Sequence, residues 1–171
     1  MGKGGNVNSS ESANTQFVDS RAKAEFKAAG WYKFLKKFSG ENVAISQAFI
    51  ETFDGEKVKI GSQTFNITET IIARETHTSA TGDSWHKNNK TLLKVDANVY
   101  LKPEHEHIGW TPTIHISYFK PEWKHVITTF QHYIICEGRF FTVHKYQMRF
   151  LVHISGAKPM NLPFFLHRSL L

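Results

Sequence analysis

The stretch "PEWKHVITTFQHYIICEGRFFTVHKYQMRFLVHISG", residues 121–156, decides the fold. Pro121 stands where a first helical turn accepts proline, and Glu122 where the positive end of a helix favours a carboxylate. Trp123, Val126, Ile127, Phe130, Tyr133 and Ile134 recur at helical spacing and share one face. Gly138 is a stop, so the pattern predicts a helix over 121–137. Thr142 then reads as the cap of a second helix, 142–154, with Val143, Tyr146, Phe150, Leu151 and Ile154 as its stripe and Gly156 as its stop. Further on, Asn161 as cap and Pro163 in the first turn predict a third helix, 162–171. Its apolar period, "FFLHRSLL", is still running at the last residue. The expectation is therefore a chain truncated there, in a helix that would continue.

Upstream, "SRAKAEFKAAGWYKFLKKF", residues 20–38, predicts a basic amphipathic helix, capped by Ser20 and ended by Gly40. Ala24, Ala28, Trp31, Leu35 and Phe38 fall on one face of it. "ENVAISQAFIETF", residues 41–53, reads as a second amphipathic helix. "KVKI" (57–60) and "TFNI" (64–67) read as two strands of a β-hairpin turned at Gly61. Thr68 can cap a short helix over 69–76. The polar run 77–91 reads as a loop anchored by Trp85. Residues 92–101, "LLKVDANVYL", alternate strictly at Leu93, Val95, Ala97, Val99 and Leu101, which favours a strand, yet the run also suits a short helix. Residues 1–15, rich in Gly, Ser and Asn, read as a disordered tail. The fold class expected is mainly α: one small helical domain over 16–171 with one β-hairpin.

Charge is unevenly spread. The chain carries +6. Arg21, Lys23, Lys27, Lys33, Lys36 and Lys37, against Glu25 alone, place +5 of that on the first helix. Lysines interleaved with Trp31, Tyr32, Phe34 and Phe38 suit phosphates and bases, so nucleic acid is the first partner to consider. The same pattern suits an anionic membrane surface or another protein, and it equally suits a core-packing helix with solvated lysines.

"KPEHEHIGW", residues 102–110, is the run with most metal chemistry in it. His105, His107 and, later, His115 offer three imidazoles. A metalloprotease helix needs its histidines four apart, and "HEH" spaces them by two, which works on a strand and not on a helix. The run is better read as a Pro-led polar connector, pinned to the core by Trp110. His125, His132, His144 and His153 fall on or beside polar faces of predicted helices, where solvent exposure is expected. Cys136 is the one cysteine, so no internal disulfide forms, and its place beside an apolar stripe reads as structural.

No phosphate loop, Gly-x-Ser-x-Gly elbow or dinucleotide fingerprint occurs, and no cofactor is expected. No apolar run is long enough to span a bilayer, and the N-terminus has no signal-peptide pattern. The sequons at Asn8, Asn66 and Asn89 then read as chance matches, and "MGKGGN" has Asn6 where a myristoylation motif wants Ser or Thr. An intracellular protein is expected.

Three phrases, "FIETFDGEKVKIGSQTFNITETIIA", "FQHYIICEGRFFTVHKYQMRFLVHI" and "MNLPFFLHRSLL", occur in that order with "TGDSWHKN" after the first. Together they resemble a domain of uncharacterised plant proteins associated with mobile elements, of gag or transposon-accessory type, over roughly residues 40–171. The resemblance implies a segment of unknown activity and assigns no functional residue. Because packing accounts for the apolar residues and no catalytic constellation occurs, a non-enzymatic interaction or structural domain is expected, with a nucleic-acid-binding module on residues 20–38 and a metal-dependent enzyme on His105, His107 and His115 as the alternatives.

Overall fold

The computed structural model describes residues 20–37, 42–87, 90, 92–135 and 141–171. The predicted tail, the stops at Gly40 and Gly138, Phe38, Cys136 and two sequons, Asn8 and Asn89, lie outside the described residues. The fold is mainly α. Helices α1 (Ser20–Ala28), α2 (Tyr32–Lys36) and α3 (Val43–Thr52) precede a hairpin of β1 (Lys57–Ile60) and β2 (Gln63–Asn66). Then come α4 (Glu69–Thr76), β3 (Thr113–His115), α5 (Pro121–Phe130), β4 (Thr142–His144), α6 (Lys145–Ser155) and α7 (Leu162–Leu170). Short 3₁₀ turns, among them Trp85–Lys87 and Pro103–Ile108, fill the connection between α4 and α5.

Helix α6 is the axis of the fold. Every residue from Gln147 to Ile154 is buried, including Gln147, Arg149 and His153. One side carries the expected stripe. Phe150 stacks on Phe130 of α5 with ring centroids 3.8 Å apart, and Phe26, Trp31 and Trp85 close around it at 5.8–6.3 Å. The other side is roofed by the loop after α4, which supplies partners for Arg149 and His153. The Arg149 guanidinium donates to the His86 carbonyl. The His153 ring meets the Arg149 carbonyl through Nδ1 at 3.0 Å and Asp83 Oδ2 through Nε2 at 3.2 Å. Buried polar groups that find such partners cost little, whereas unpaired ones cost about 1–3 kcal/mol each. His153, expected at the surface, is therefore interior, because the loop covers the helix face that its period assigned to solvent.

The loop is held from its far side as well. Asp83 N–H donates to the Pro159 carbonyl, and Asn161 Nδ2 donates to the Ala80 carbonyl. Gly82 has φ +118°, and a Cβ there would lie 2.7 Å from the Pro159 carbonyl carbon, so only glycine permits this approach. Trp85 anchors the loop as expected, fully buried against Trp31 and Phe165.

The helix predicted over 20–38 is broken. Gly30, at φ +77°, ends α1: its N–H donates to the Lys27 carbonyl, and Trp31 N–H reaches back to the Phe26 carbonyl. This is a Schellman stop, with Trp31 packing on Phe26 across it. The break turns the chain, so the buried face is Ala22, Phe26, Trp31 and Leu35, while Ala24 and Ala28 are exposed. Glycine inside an apparent helical period was here the period's end.

The hairpin forms with a two-residue turn, Gly61–Ser62, and β2 starts one residue earlier than expected, pairing Val58 with Phe65. Gly61 takes the positive φ that such a turn needs at its first position. A second, separate antiparallel pair was not revealed by local patterning: β3 pairs with β4, Ile114 facing Val143. Thr142–His144 is thus strand, and α6 begins at Lys145, behind a capping box of His144 and Gln147. Helix α5 likewise ends its α-helical part at Phe130 and widens into a π-helical turn, Gln131–Ile135. Gln131 Nε2 in that turn donates to the Thr142 carbonyl, tying α5 to β4. Residues 92–101 are neither of the expected elements. They form two 3₁₀ turns with Leu92, Ala97, Tyr100 and Leu101 buried, while Leu93 and Val99 face solvent. Trp110 pins the connector as expected, donating from Nε1 to the Val95 carbonyl at 2.7 Å. No helix among the described residues is long and apolar enough to cross a membrane.

Candidate functional site

The cations of α1 and α2 divide into two kinds. Arg21 is tied to its own helix: Nε lies 2.6 Å from Glu25 Oε1, and its guanidinium stands 4.4 Å over the Trp123 ring of α5. Exposed pairs of this sort add little stability, so their effect here is to remove Arg21 from the set that could meet a partner. Lys23 and Lys27, one helical turn apart, both lean over the Tyr32 ring, at 5.8 and 5.2 Å. Gly30 makes this arrangement: by ending α1 it brings Tyr32 back alongside the helix that carries the lysines. Lys33, Lys36 and Lys37 are exposed on α2 and just after it. Among the described residues no carboxylate pairs with any of these five lysines.

The loop histidines do not converge. The His105 ring stacks on Tyr118 with centroids 3.9 Å apart, and His115 leans on the same ring at 5.6 Å. His115 Nδ1 accepts from the Ser117 N–H and lies 2.6 Å from the Ser117 hydroxyl, so it caps the short turn that follows β3. His107 is exposed on a 3₁₀ turn. Among the described residues no group of three His, Cys, Asp or Glu side chains is placed to hold a metal ion. His125, His132 and His144 are exposed, as their polar faces predict.

A site that the local patterns did not show lies at the start of α6. Pro112, His144, Lys145, Tyr146 and Arg149 line an open cleft of about 480 Å³. A second cleft, of about 460 Å³, is lined by His86, Ile135, Tyr146, Phe165 and Ser169. Tyr146 belongs to both. Among the described residues, none that lines either is acidic. The His86 ring sits against Trp85, Phe164 and Phe165, with both nitrogens shielded and without a hydrogen-bond partner among the described residues. Burial holds its pKa below the ordinary imidazole value, and the charges of Lys87, Arg149 and Arg168 push it further down. The ring is therefore neutral at pH 7. Burial also lowers the Arg149 pKa, although a guanidinium remains charged.

Sequence reasoning placed His144 and Tyr146 on a helix and went no further. A usable signal was present in "HKYQMR" (144–149): three basic side chains and no acid where a helix begins. What no local pattern contained was the approach to Tyr146 of His86 and Phe165 of α7, nearly eighty residues apart in the chain. No family model, curated protein or solved structure matches this chain.

Proposed function

We propose that this chain is a non-enzymatic interaction domain of mobile-element origin, and that its α1–α2 surface binds nucleic-acid phosphates inside the cell. One observation carries the nucleic-acid reading: the lysine surface of Lys23, Lys27, Lys33, Lys36 and Lys37, unopposed by any described carboxylate. Clustered lysines facing water gain little from each other, and they gain substantially when phosphates displace the counterions around them. The Tyr32 contact fixes two of the five ammonium groups near one another, which lowers the ordering cost of a multi-point contact.

The test is fluorescence anisotropy with a labelled oligonucleotide across a salt series. Affinity should fall steeply with salt, and Lys33→Gln, Lys36→Gln and Lys37→Gln together should flatten the slope by roughly one unit of log K per log salt for each lysine removed. Binding that the triple change leaves untouched refutes the assignment to this surface. The origin is tested by the surrounding reading frame, where a neighbouring protease, reverse transcriptase or zinc knuckle would support it. An unrelated reading frame around the chain would count against it.

A further inference from the structure

The two outer edges of the β1–β2 hairpin are not alike. Within the hairpin Val58 faces Phe65, and just beyond it Ile67 N–H donates to the Glu56 carbonyl at 2.7 Å. Hydrogen-bonded pairs alternate along an antiparallel ladder. This parity turns the N–H and C=O groups of Lys57 and Lys59 outward on β1, and those of Thr64 and Asn66 outward on β2. On β1 all of the outward groups are taken. Lys57 N–H donates to Asp54 Oδ1 at 2.7 Å, and the Lys57 carbonyl accepts from Asp54 N–H at 3.1 Å. The Thr52 hydroxyl lies 2.9 Å from both the nitrogen and the carbonyl oxygen of Lys59. On β2 the outward groups of Thr64 and Asn66 have no partner among the described residues, and the whole strand is exposed.

Proteins guard a bare edge with lysine, proline, a bulge or an inward charge. Strand β2 has none of these: it pairs without a bulge, and no residue from 61 to 68 is charged or proline. The apolar face of the hairpin also reaches this edge, since Val58 is 2% exposed and its neighbour on that face, Phe65, is 43% exposed. We propose that β2 pairs antiparallel with β2 of a second copy of this chain, making a two-fold dimer whose four-stranded sheet has the order β1–β2–β2–β1. The open groups set the register. Thr64 opposite Asn66 of the second copy, and Asn66 opposite its Thr64, satisfies every open group on both strands. The same register puts Phe65 on the two-fold axis, directly opposite Phe65 of the second copy, in a closely spaced pair where aromatic side chains stabilise a sheet. A strand of another protein would meet the same main-chain groups. A second copy is favoured because the one large apolar side chain of β2 meets itself, and an uncharged strand brings no like charges together across the axis. This edge is separate from the lysines of α1–α2 and does not depend on them.

The experiment is sedimentation velocity of the full chain over a concentration series. Four residues on each side cover much less than the roughly 1,200–2,000 Å² of a stable interface, so a reversible monomer–dimer equilibrium with a Kd on the order of 100 μM is expected. Phe65→Lys sets two cations on the axis, and Thr64→Pro removes an outward donor that the hairpin itself does not use; each should weaken the dimer by about tenfold or more. The register is tested apart from these variants, by oxidising single cysteines in a chain whose own thiol is removed by Cys136→Ser. Phe65→Cys should form a disulfide between copies, because directly facing residues of a non-hydrogen-bonded pair lie within its reach. Gln63→Cys, on the same face but about 14 Å from its mate in this register, should not. A chain that stays monomeric throughout the series overturns the proposal, as does a dimer that Phe65→Lys and Thr64→Pro both leave unchanged. Cross-linking at 63 as readily as at 65 overturns the register. Assemblies that grow beyond two copies overturn the two-fold pairing, which closes because the β1 edges are already occupied.

Discussion

Helices α3 and α6 are of similar length and both read as amphipathic, yet they end in opposite environments. In α6 eight consecutive residues are buried; in α3 none is. Helix α3 lies against β1, where the Thr52 hydroxyl accepts from Lys59 N–H and donates to a backbone carbonyl, and its Phe49 ring stacks on Phe53. Val43 and Ile50 remain 69% and 81% exposed. The difference lies in what lies above each helix. Helix α6 receives α1, α5 and the 85–87 turn on successive faces, so even its polar period is covered. Helix α3 has a two-stranded hairpin on one side, and a single hairpin offers too little surface to cover a helix. Apolar periodicity reports a preference for burial; neighbours determine whether it is met.

The strongest way to break this comparison is at its centre. Phe150→Ala removes the ring on which Phe26, Trp31, Trp85 and Phe130 converge. It should cost about 3–5 kcal/mol in urea unfolding, as large-to-small core changes do. A cost under 1 kcal/mol would mean that α6 is not the axis described. Next is the roof over α6. Gly82→Ala forces a Cβ into the Pro159 backbone at a positive φ and should cost about 1–3 kcal/mol. If the variant is as stable as the parent, the loop does not hold the polar face of α6 shut.

A smaller effect comes from pH. His86 has a lowered pKa in the fold, first through burial and then through Lys87, Arg149 and Arg168. Above the unfolded value of about 6.5 both states are neutral and its contribution to stability is complete. As pH falls below that value the unfolded ring takes a proton and the folded ring resists, so stability declines. Thermal melts between about pH 7.5 and 5.5 should therefore show a steeper loss for the parent than for His86→Phe. Parallel curves for the two would remove His86 from the account. The smallest effect sharpens the comparison from the other end. Ile50→Ser should change stability by less than about 0.5 kcal/mol, because the side chain is already in water. A loss of 2 kcal/mol would show that α3 has a cover in solution.

Much of the skeleton was legible. Asn161 caps α7 by accepting from Phe164 N–H, Thr68 caps α4 by accepting from Ile71 N–H, and Gly61 turns the hairpin. These are contacts between residues three or fewer apart, and residue chemistry alone specifies them. Positions that failed involve distant partners. Thr142 reads as a cap, but Gln147 and His144 cap α6 while residues 142–144 pair with 113–115. The candidate site divides in the same way. Its lysines and its histidine-rich connector were visible as composition. The Tyr118 ring that takes up His105 and His115 was not, and neither was the cleft.

The sequence by itself determined a mainly helical chain, where most helices begin, a hairpin at 57–67 to within one residue, and a charge concentrated on residues 21–37. All of these rest on local hydrogen bonding, backbone freedom and counting, which need no distant partner. Only the tertiary structure decided that residues 147–154 of α6 are buried on every side, that α1 and α2 are separate, and that Tyr146 stands between a cleft lined by Arg149 and one lined by His86. The physical reason is that burial belongs to a surface and whatever covers it. For α6 the cover is a loop some seventy residues upstream, whose partners His153 and Asp83 no local period can bring together.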